Sequence, residues 1–110
     1  PKMITKLARQ QKELIVSAFE NLKEGGEMVY STCSVEPEEN EGVVDHLLEK
    51  YSNAEVVKAK LPGLKLSKPI MEFNGKKYNS QVKHCLRIWP QDNDTEGFFV
   101  TKITKNLPSE

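Results

Sequence analysis

Cys33 stands in the run Tyr30-Ser31-Thr32-Cys33-Ser34, after the short β-prone stretch Met28-Val29-Tyr30 and before a helix-prone segment that opens at Pro37. A thiol at a strand-to-helix corner lies on the edge where open α/β sheets place their sites. Helix N-terminal amides favour a thiolate, which is the nucleophilic form of Cys. The Glu-rich start of the same helix opposes this, because carboxylates disfavour a second negative charge nearby. The residues alone leave two readings open, a nucleophile and a structural Cys. Ser31, Thr32 and Ser34 also suit turns and helix caps.

Other candidates are weaker. His46 sits on a helix beside Leu47 and reads as a surface or half-buried residue. His84 and Cys85 are adjacent, so on a strand they would point to opposite faces and not share a metal. Asp92, Asp94, Glu96 and Gly97 imitate the opening of an EF-hand loop, but Ile103 stands where the bidentate Glu belongs. Two cysteines, Cys33 and Cys85, are too few for a disulfide framework or a four-ligand zinc site. No metal site is expected. Neither a Gly-rich phosphate loop nor a Ser/His/Asp set is present.

The elements that must hold Cys33 follow from periodicity. Ile4, Leu7, Ala8, Leu14, Ile15, Ala18, Phe19 and Leu22 keep helical spacing, and Gly25-Gly26 stops the helix. Pro37 suits the first turn of a second helix, striped by Val43, Val44, Leu47, Leu48 and Tyr51. Ala54 to Val57 reads as a strand. Ala59 to Gln81 has no sustained period, and a loop of that length in a small domain is functional or disordered. Cys85 to Trp89, ended by Pro90, and Phe98 to Ile103 read as strands that can pair as antiparallel neighbours. Helix–strand alternation with tight joins predicts an α/β layer in one domain spanning residues 1–110.

The chain's 110 residues are 37% hydrophobic and 29% charged, an ordinary globular balance that excludes collagen-like and disordered classes. No apolar run reaches the roughly 18 residues a membrane span needs, so no membrane partner is expected. With few cysteines and no signal peptide, a cytoplasmic location is expected. Pro1 in place of Met points to a processed chain or a piece of a longer one. Sixteen basic and sixteen acidic residues cancel, which argues against a free-standing nucleic-acid binder. The charge is segregated, however. Glu36 to Glu49 holds six acids and no Lys or Arg, while Lys58 to Arg87 holds eight basic residues and one acid. This predicts either a solvated acidic helix beside a Lys-rich loop, or a basic strip facing a polyanion.

Tyr30-Ser31-Thr32-Cys33-Ser34, followed by Pro37-Glu38-Glu39-Asn40-Glu41 and Val43-Val44, resembles the Nol/Nop/Sun family of S-adenosylmethionine-dependent RNA cytosine-5 methyltransferases. Gln10-Gln11-Lys12 and Asn21-Leu22-Lys23-Glu24-Gly25-Gly26 agree, as do Leu86-Arg87-Ile88-Trp89-Pro90 and Gly97-Phe98-Phe99-Val100. The matching stretches keep the family's order from about Ile4 to Lys105. Gln91 stands where members often carry His.

The resemblance implies that Cys33 is the nucleophile that attacks C6 of a cytosine in tRNA or rRNA. It implies the C-terminal portion of a Rossmann-like methyltransferase fold, with a final antiparallel strand. The family's cofactor loop, ribose-binding acid and Asp-x-Pro-Cys motif lie earlier and are not in this sequence. No cofactor-binding residue is therefore expected here, and S-adenosylmethionine would be held mainly by a missing N-terminal half of the catalytic domain. Cys85 is in no such motif and receives no catalytic role. Lys83 and Arg87 are candidate RNA contacts. The rival expectation is a non-catalytic RNA-binding or interaction module that completes a separate methyltransferase half. Without that cofactor site, this chain alone is expected to be inactive. In the family's fold the Met28–Tyr30 strand is central, so the isolated chain is also expected to self-associate through that strand's edge or a swapped N-terminal helix.

Overall fold

A computed structural model describes residues 2–33, 37–58, 69–73, 75–88 and 98–106. Helix α1 spans Lys2–Glu20. Ala8, Ile15 and Phe19 are buried at helical spacing, so one stripe of α1 faces the sheet. Its last turn contains no basic residue. Lys105 supplies one from across the fold, donating from Nζ to the carbonyls of Phe19 at 3.1 Å and Leu22 at 2.9 Å. A cation there offsets the negative end of the helix dipole. Gly25 turns the chain at φ +82°, a left-handed conformation that favours Gly. Its N–H donates to the Lys105 carbonyl at 2.6 Å, which pins the turn to the end of the last strand.

Strand β1 (Glu27–Thr32) follows, then a short 3-10 turn at Pro37–Glu39 and helix α2 (Glu41–Lys50). Strand β2 is Ala54–Val57, and β3 (Glu72–Phe73) and β4 (Lys76–Lys77) form a small hairpin turning at Gly75. A second 3-10 segment, Ser80–His84, leads to β5 (Leu86–Ile88), and β6 covers Phe98–Lys105. β6 is the hub of the main sheet. It pairs antiparallel with β1 on one side, and with β5 and then β2 along the other. Because β1 and β2 both oppose β6, they run parallel to each other and end at the same edge of the sheet.

Both helices cover one face of this sheet. Tyr30, Val56, Phe99 and Ile103 project into the cluster that Ile15, Phe19, Val43 and Leu47 complete. On β1 the even-numbered side chains face this core while Glu27, Val29 and Ser31 are exposed. Val29 is 64% exposed and Leu14 62%. Phe19 is fully buried, with the Tyr51 ring 5.0 Å away.

Four sequence expectations need correction. The first helix ends two residues before Leu22. Pro37 opens a 3-10 turn, and α2 begins only at Glu41, because Asn40 (φ −118°, ψ −94°) interrupts the helical path. His84 and Cys85 are not on a strand, since His84 ends the 3-10 segment and β5 starts at Leu86. The Phe98 strand runs two residues past Ile103. The EF-hand-like residues Asp92 to Gly97, Trp89-Pro90, and positions 59–68 lie outside the described residues.

Candidate functional site

Cys33 is exposed at the carboxyl end of β1, one residue past Thr32. The two inward residues before it tie this corner to the start of α2. Tyr30 is buried, and its hydroxyl donates to the Glu39 carbonyl at 2.7 Å, with Gln11 Oε1 of α1 at 3.4 Å. Burial, and secondarily the Glu39 charge, push the Tyr30 phenol far above its ordinary pKa, so it stays a neutral donor. Thr32 Oγ1 donates to Asn40 Oδ1 at 2.5 Å, and Asn40 is fully buried. Strand alternation makes this possible: Tyr30 and Thr32 reach inward, so the intervening Ser31 and the following Cys33 face out. The corner is thus held from beneath while the thiol is left accessible.

The acids of α2 hold what lies beyond the corner. Glu41, Asp45 and Glu49 recur every four residues and form one row. Glu41 is 0% exposed and accepts from Arg87 Nε at 2.7 Å, from Arg87 Nη2 at 2.5 Å and from the Ile70 N–H at 2.8 Å. Asp45 Oδ1 accepts from the Asn79 N–H at 2.6 Å, and Oδ2 lies 3.4 Å from Lys76 Nζ. That separation is an ion pair without a formed hydrogen bond, so this buried oxygen is incompletely satisfied. Glu49 completes the row at 3.1 Å from the same Lys76, whose hydrogen bond lowers its pKa.

The segregated charges therefore meet inside the molecule. The acidic helix is not simply solvated, and part of the basic segment is matched to it. Arg87 must be corrected accordingly: 1% exposed and engaged bidentately by Glu41, it is a buried structural cation and not a surface contact for RNA. Lys83 is exposed on the 3-10 segment, so the structure separates the two residues that the sequence grouped. Cys85 is buried, its thiol donating to Thr101 Oγ1 at 3.3 Å and its pKa pushed up to about 12 by burial. Such a thiol is a poor nucleophile. His84 instead lines a shallow hollow with Glu55, Gln81 and Asn106, apart from Cys85.

Among the described residues no group of three or more His, Cys, Asp or Glu could hold a metal. No helix there is long and apolar enough to cross a membrane. Sequence reasoning missed Asn40 and Glu41 as anchors. The available signal was the placement of Glu41 and Asp45 beside the Val43-Val44 and Leu47-Leu48 stripe, where an acid at that spacing borders the core.

The sequence profile of the 16S rRNA methyltransferase RsmB/F family matches residues 1–104. The chain belongs to this family. Among curated relatives, the tRNA (cytosine(49)-C(5))-methyltransferase of Pyrococcus abyssi is 54% identical over 98 residues, covering 89% of this chain and 31% of the relative. The Ribosomal RNA small subunit methyltransferase F of Shewanella piezotolerans is 44% identical over 95 residues, 86% of this chain and 18% of its own length. The chain thus spans a third or less of these relatives. A methyltransferase homolog protein from Pyrococcus horikoshii superposes with a TM-score of 0.78 at 35% identity, over 96% of this chain and 33% of that one. NSun6 from the same organism, solved with SFG, gives 0.70 at 29% identity over 92% of this chain and 23% of its own. The fold is the α/β, Rossmann-like portion that the resemblance implied, and the chain's last strand, β6, is antiparallel to every strand it pairs with.

Proposed function

We propose that this chain is the C-terminal part of an RNA cytosine-5 methyltransferase catalytic domain and that Cys33 is its nucleophile. The carrying observation is the exposed thiol at the end of β1, on a corner fixed by the Tyr30–Glu39 and Thr32–Asn40 bonds. Cytosine C5 is too weak a nucleophile to take a methyl group directly. Addition of the Cys33 thiolate to C6 forms a C–S bond and moves the ring's electron pair toward C5. C5 would then bond to the methyl carbon as that carbon's bond to the donor's sulfonium sulfur breaks, the sulfur keeping the pair, and loss of the C5 proton to a base returns an electron pair that expels Cys33. Cys is both a good nucleophile and a workable leaving group. The ring must leave any duplex to expose C6, so the target is an unpaired or extruded cytosine of tRNA or rRNA.

S-adenosylmethionine is the methyl donor in this reading, supplying an electrophilic methyl on a sulfonium. The described strand ends do not fit its binding. β1 runs into Thr32-Cys33 and β2 into Val57-Lys58, with neither a Gly-rich turn nor an acid placed for ribose hydroxyls. The donor site is assigned to the remaining length of the protein. Exposed Lys83 is offered as a phosphate contact. The test of the whole reading is trapping: RNA bearing 5-fluorocytosine should form a covalent adduct at Cys33 of the full-length protein, because fluorine cannot leave as the proton does. Absence of an adduct, with RNA bound, would refute it.

The open side of β1 supports the partner half of the proposal. Among the described residues β1 pairs only with β6, and Val29 on its outer face is 64% exposed. Leu7 and Leu14, seven residues apart, add an exposed apolar line on α1. An unpaired edge beside apolar side chains is a template for another strand. In the full-length protein that strand belongs to the rest of the catalytic domain. The 110-residue chain alone is expected to self-associate, and Val29→Lys should shift its sedimentation toward monomer. A monodisperse parent chain at high concentration would contradict this.

A further inference from the structure

A hollow of about 360 Å³ opens where α1, the Pro37–Glu39 turn, the start of α2 and the β3–β4 hairpin meet. Arg9 and Lys12 of α1, Glu38 of the turn, and Phe73 and Tyr78 all line it. Its floor is close-fitting: a Cβ at Gly42 would stand 3.2 Å from both the Tyr78 hydroxyl and the Pro37 carbonyl. Lys76 also borders it but is engaged by Asp45 and Glu49. Among the described residues Arg9 and Lys12 form no ion pair, so their charges are available to a ligand. Burial, and after it the charges of Lys12, Lys50 and Lys76, lower the pKa of His46, with Glu49 opposing.

The hollow lies on the same edge as Cys33. Helix α1 returns through Gly25 into β1, so the first half of the helix, with Arg9, and its middle, with Lys12, lie toward the end of β1. Gln11, between them, lies 3.4 Å from the Tyr30 hydroxyl, three residues from Cys33 in sequence. The volume is that of a small-ligand pocket. Two aromatic rings beside two unpaired cations match a base with its phosphate, since rings stack on any base and cations track the backbone. The carboxylate of Glu38 would repel a bare polyanion but accepts hydrogen bonds from a base amino group.

We propose that this hollow is a subsite for a nucleotide flanking the target cytosine, with its base against Phe73 and Tyr78 and its phosphate between Arg9 and Lys12. The inference rests on the reading of Cys33 as acting on RNA, and the experiment separates the two. In the full-length protein, affinity for a single-stranded cytosine-containing RNA would be measured against salt for the parent, Arg9→Glu/Lys12→Glu, Phe73→Ala and Lys77→Glu. Adduct formation with 5-fluorocytosine RNA would be followed at saturating RNA. The charge reversal should weaken binding at least about tenfold and lower the log–log salt slope by roughly 0.7 for each phosphate no longer neutralised. Phe73→Ala should weaken binding about tenfold with the slope unchanged. Lys77→Glu, exposed on the same hairpin but outside the hollow, should change neither. Unchanged affinity and slope in both hollow variants, with the adduct still formed, would overturn the subsite alone. An equal loss in Lys77→Glu would overturn it too, reducing the effect to general charge. Loss of affinity in the hollow variants, with no adduct even in the parent, would support the hollow as an RNA site and remove Cys33 from the chemistry.

Discussion

Cys33→Ala in the full-length protein should lower methyl transfer to RNA by at least about a thousandfold, because removing the nucleophile of a covalent mechanism closes the pathway itself. Fold and RNA affinity should hardly change. The Cys33 side chain is exposed, and the bonds that fix its corner come from Tyr30, Thr32, Glu39 and Asn40. An exposed side chain outside the core contributes little to stability. Single-turnover methylation with saturating RNA isolates the chemical step from binding. Turnover within tenfold of the parent would end the assignment of Cys33. Cys85→Ala is the complementary control. Its thiol is buried against Thr101 with a pKa pushed up to about 12, so its loss should cost stability rather than chemistry.

The corner carrying Cys33 is legible in the sequence because local signals agree there. A β-prone run, a turn-rich tetrapeptide and a Pro all fall within ten residues, and the strand appears at Glu27–Thr32. The start of α2 is less legible. Pro37 and two acids satisfy every rule for a first turn, yet Asn40 leaves the helical path while its side chain bonds Thr32 from the preceding strand. Here a tertiary bond overrides a local preference.

The stretch between β2 and β5 shows no periodicity for a related reason. Its described part docks by scattered contacts, the Ile70 and Asn79 N–H groups on Glu41 and Asp45 and the separate side chains of Met71, Tyr78 and Val82 on the core, and such contacts leave no repeating apolar mark. Arg87 reads as a surface cation in the sequence because its partner lies 46 residues away. The strand alternation around it (Leu86, Arg87, Ile88) gives no hint that the charged side faces an acid rather than water. The two open cations of the hollow, Arg9 and Lys12, sit on a helix whose polar residues look like an ordinary solvated face. A pocket forms only where the Pro37–Glu39 turn, the start of α2 and the β3–β4 hairpin gather beside them.

The buried pair also sets the largest stability effect expected of the chain. Glu41→Ala removes the carboxylate that engages the Arg87 guanidinium, in a site where that cation is 1% exposed. Removing one partner of a buried ion pair costs about 3–5 kcal/mol, since the remaining buried charge loses the carboxylate that balances it. For a domain of this size that corresponds to a fall in Tm of roughly 12–40 °C. Replacing both members should behave differently. Glu41→Leu with Arg87→Met removes both desolvated charges, and comparable replacements elsewhere are often neutral or stabilising. Full recovery is not expected here, because the Ile70 N–H also donates to Glu41 and would be left unpaired, at about 1–3 kcal/mol. The double variant should therefore lie between the parent and Glu41→Ala in chemical denaturation, with a coupling of several kcal/mol in the mutant cycle. Additive losses would show that Glu41 and Arg87 act independently, and a single-variant loss under about 1 kcal/mol would show that the pair does not anchor α2 to β5.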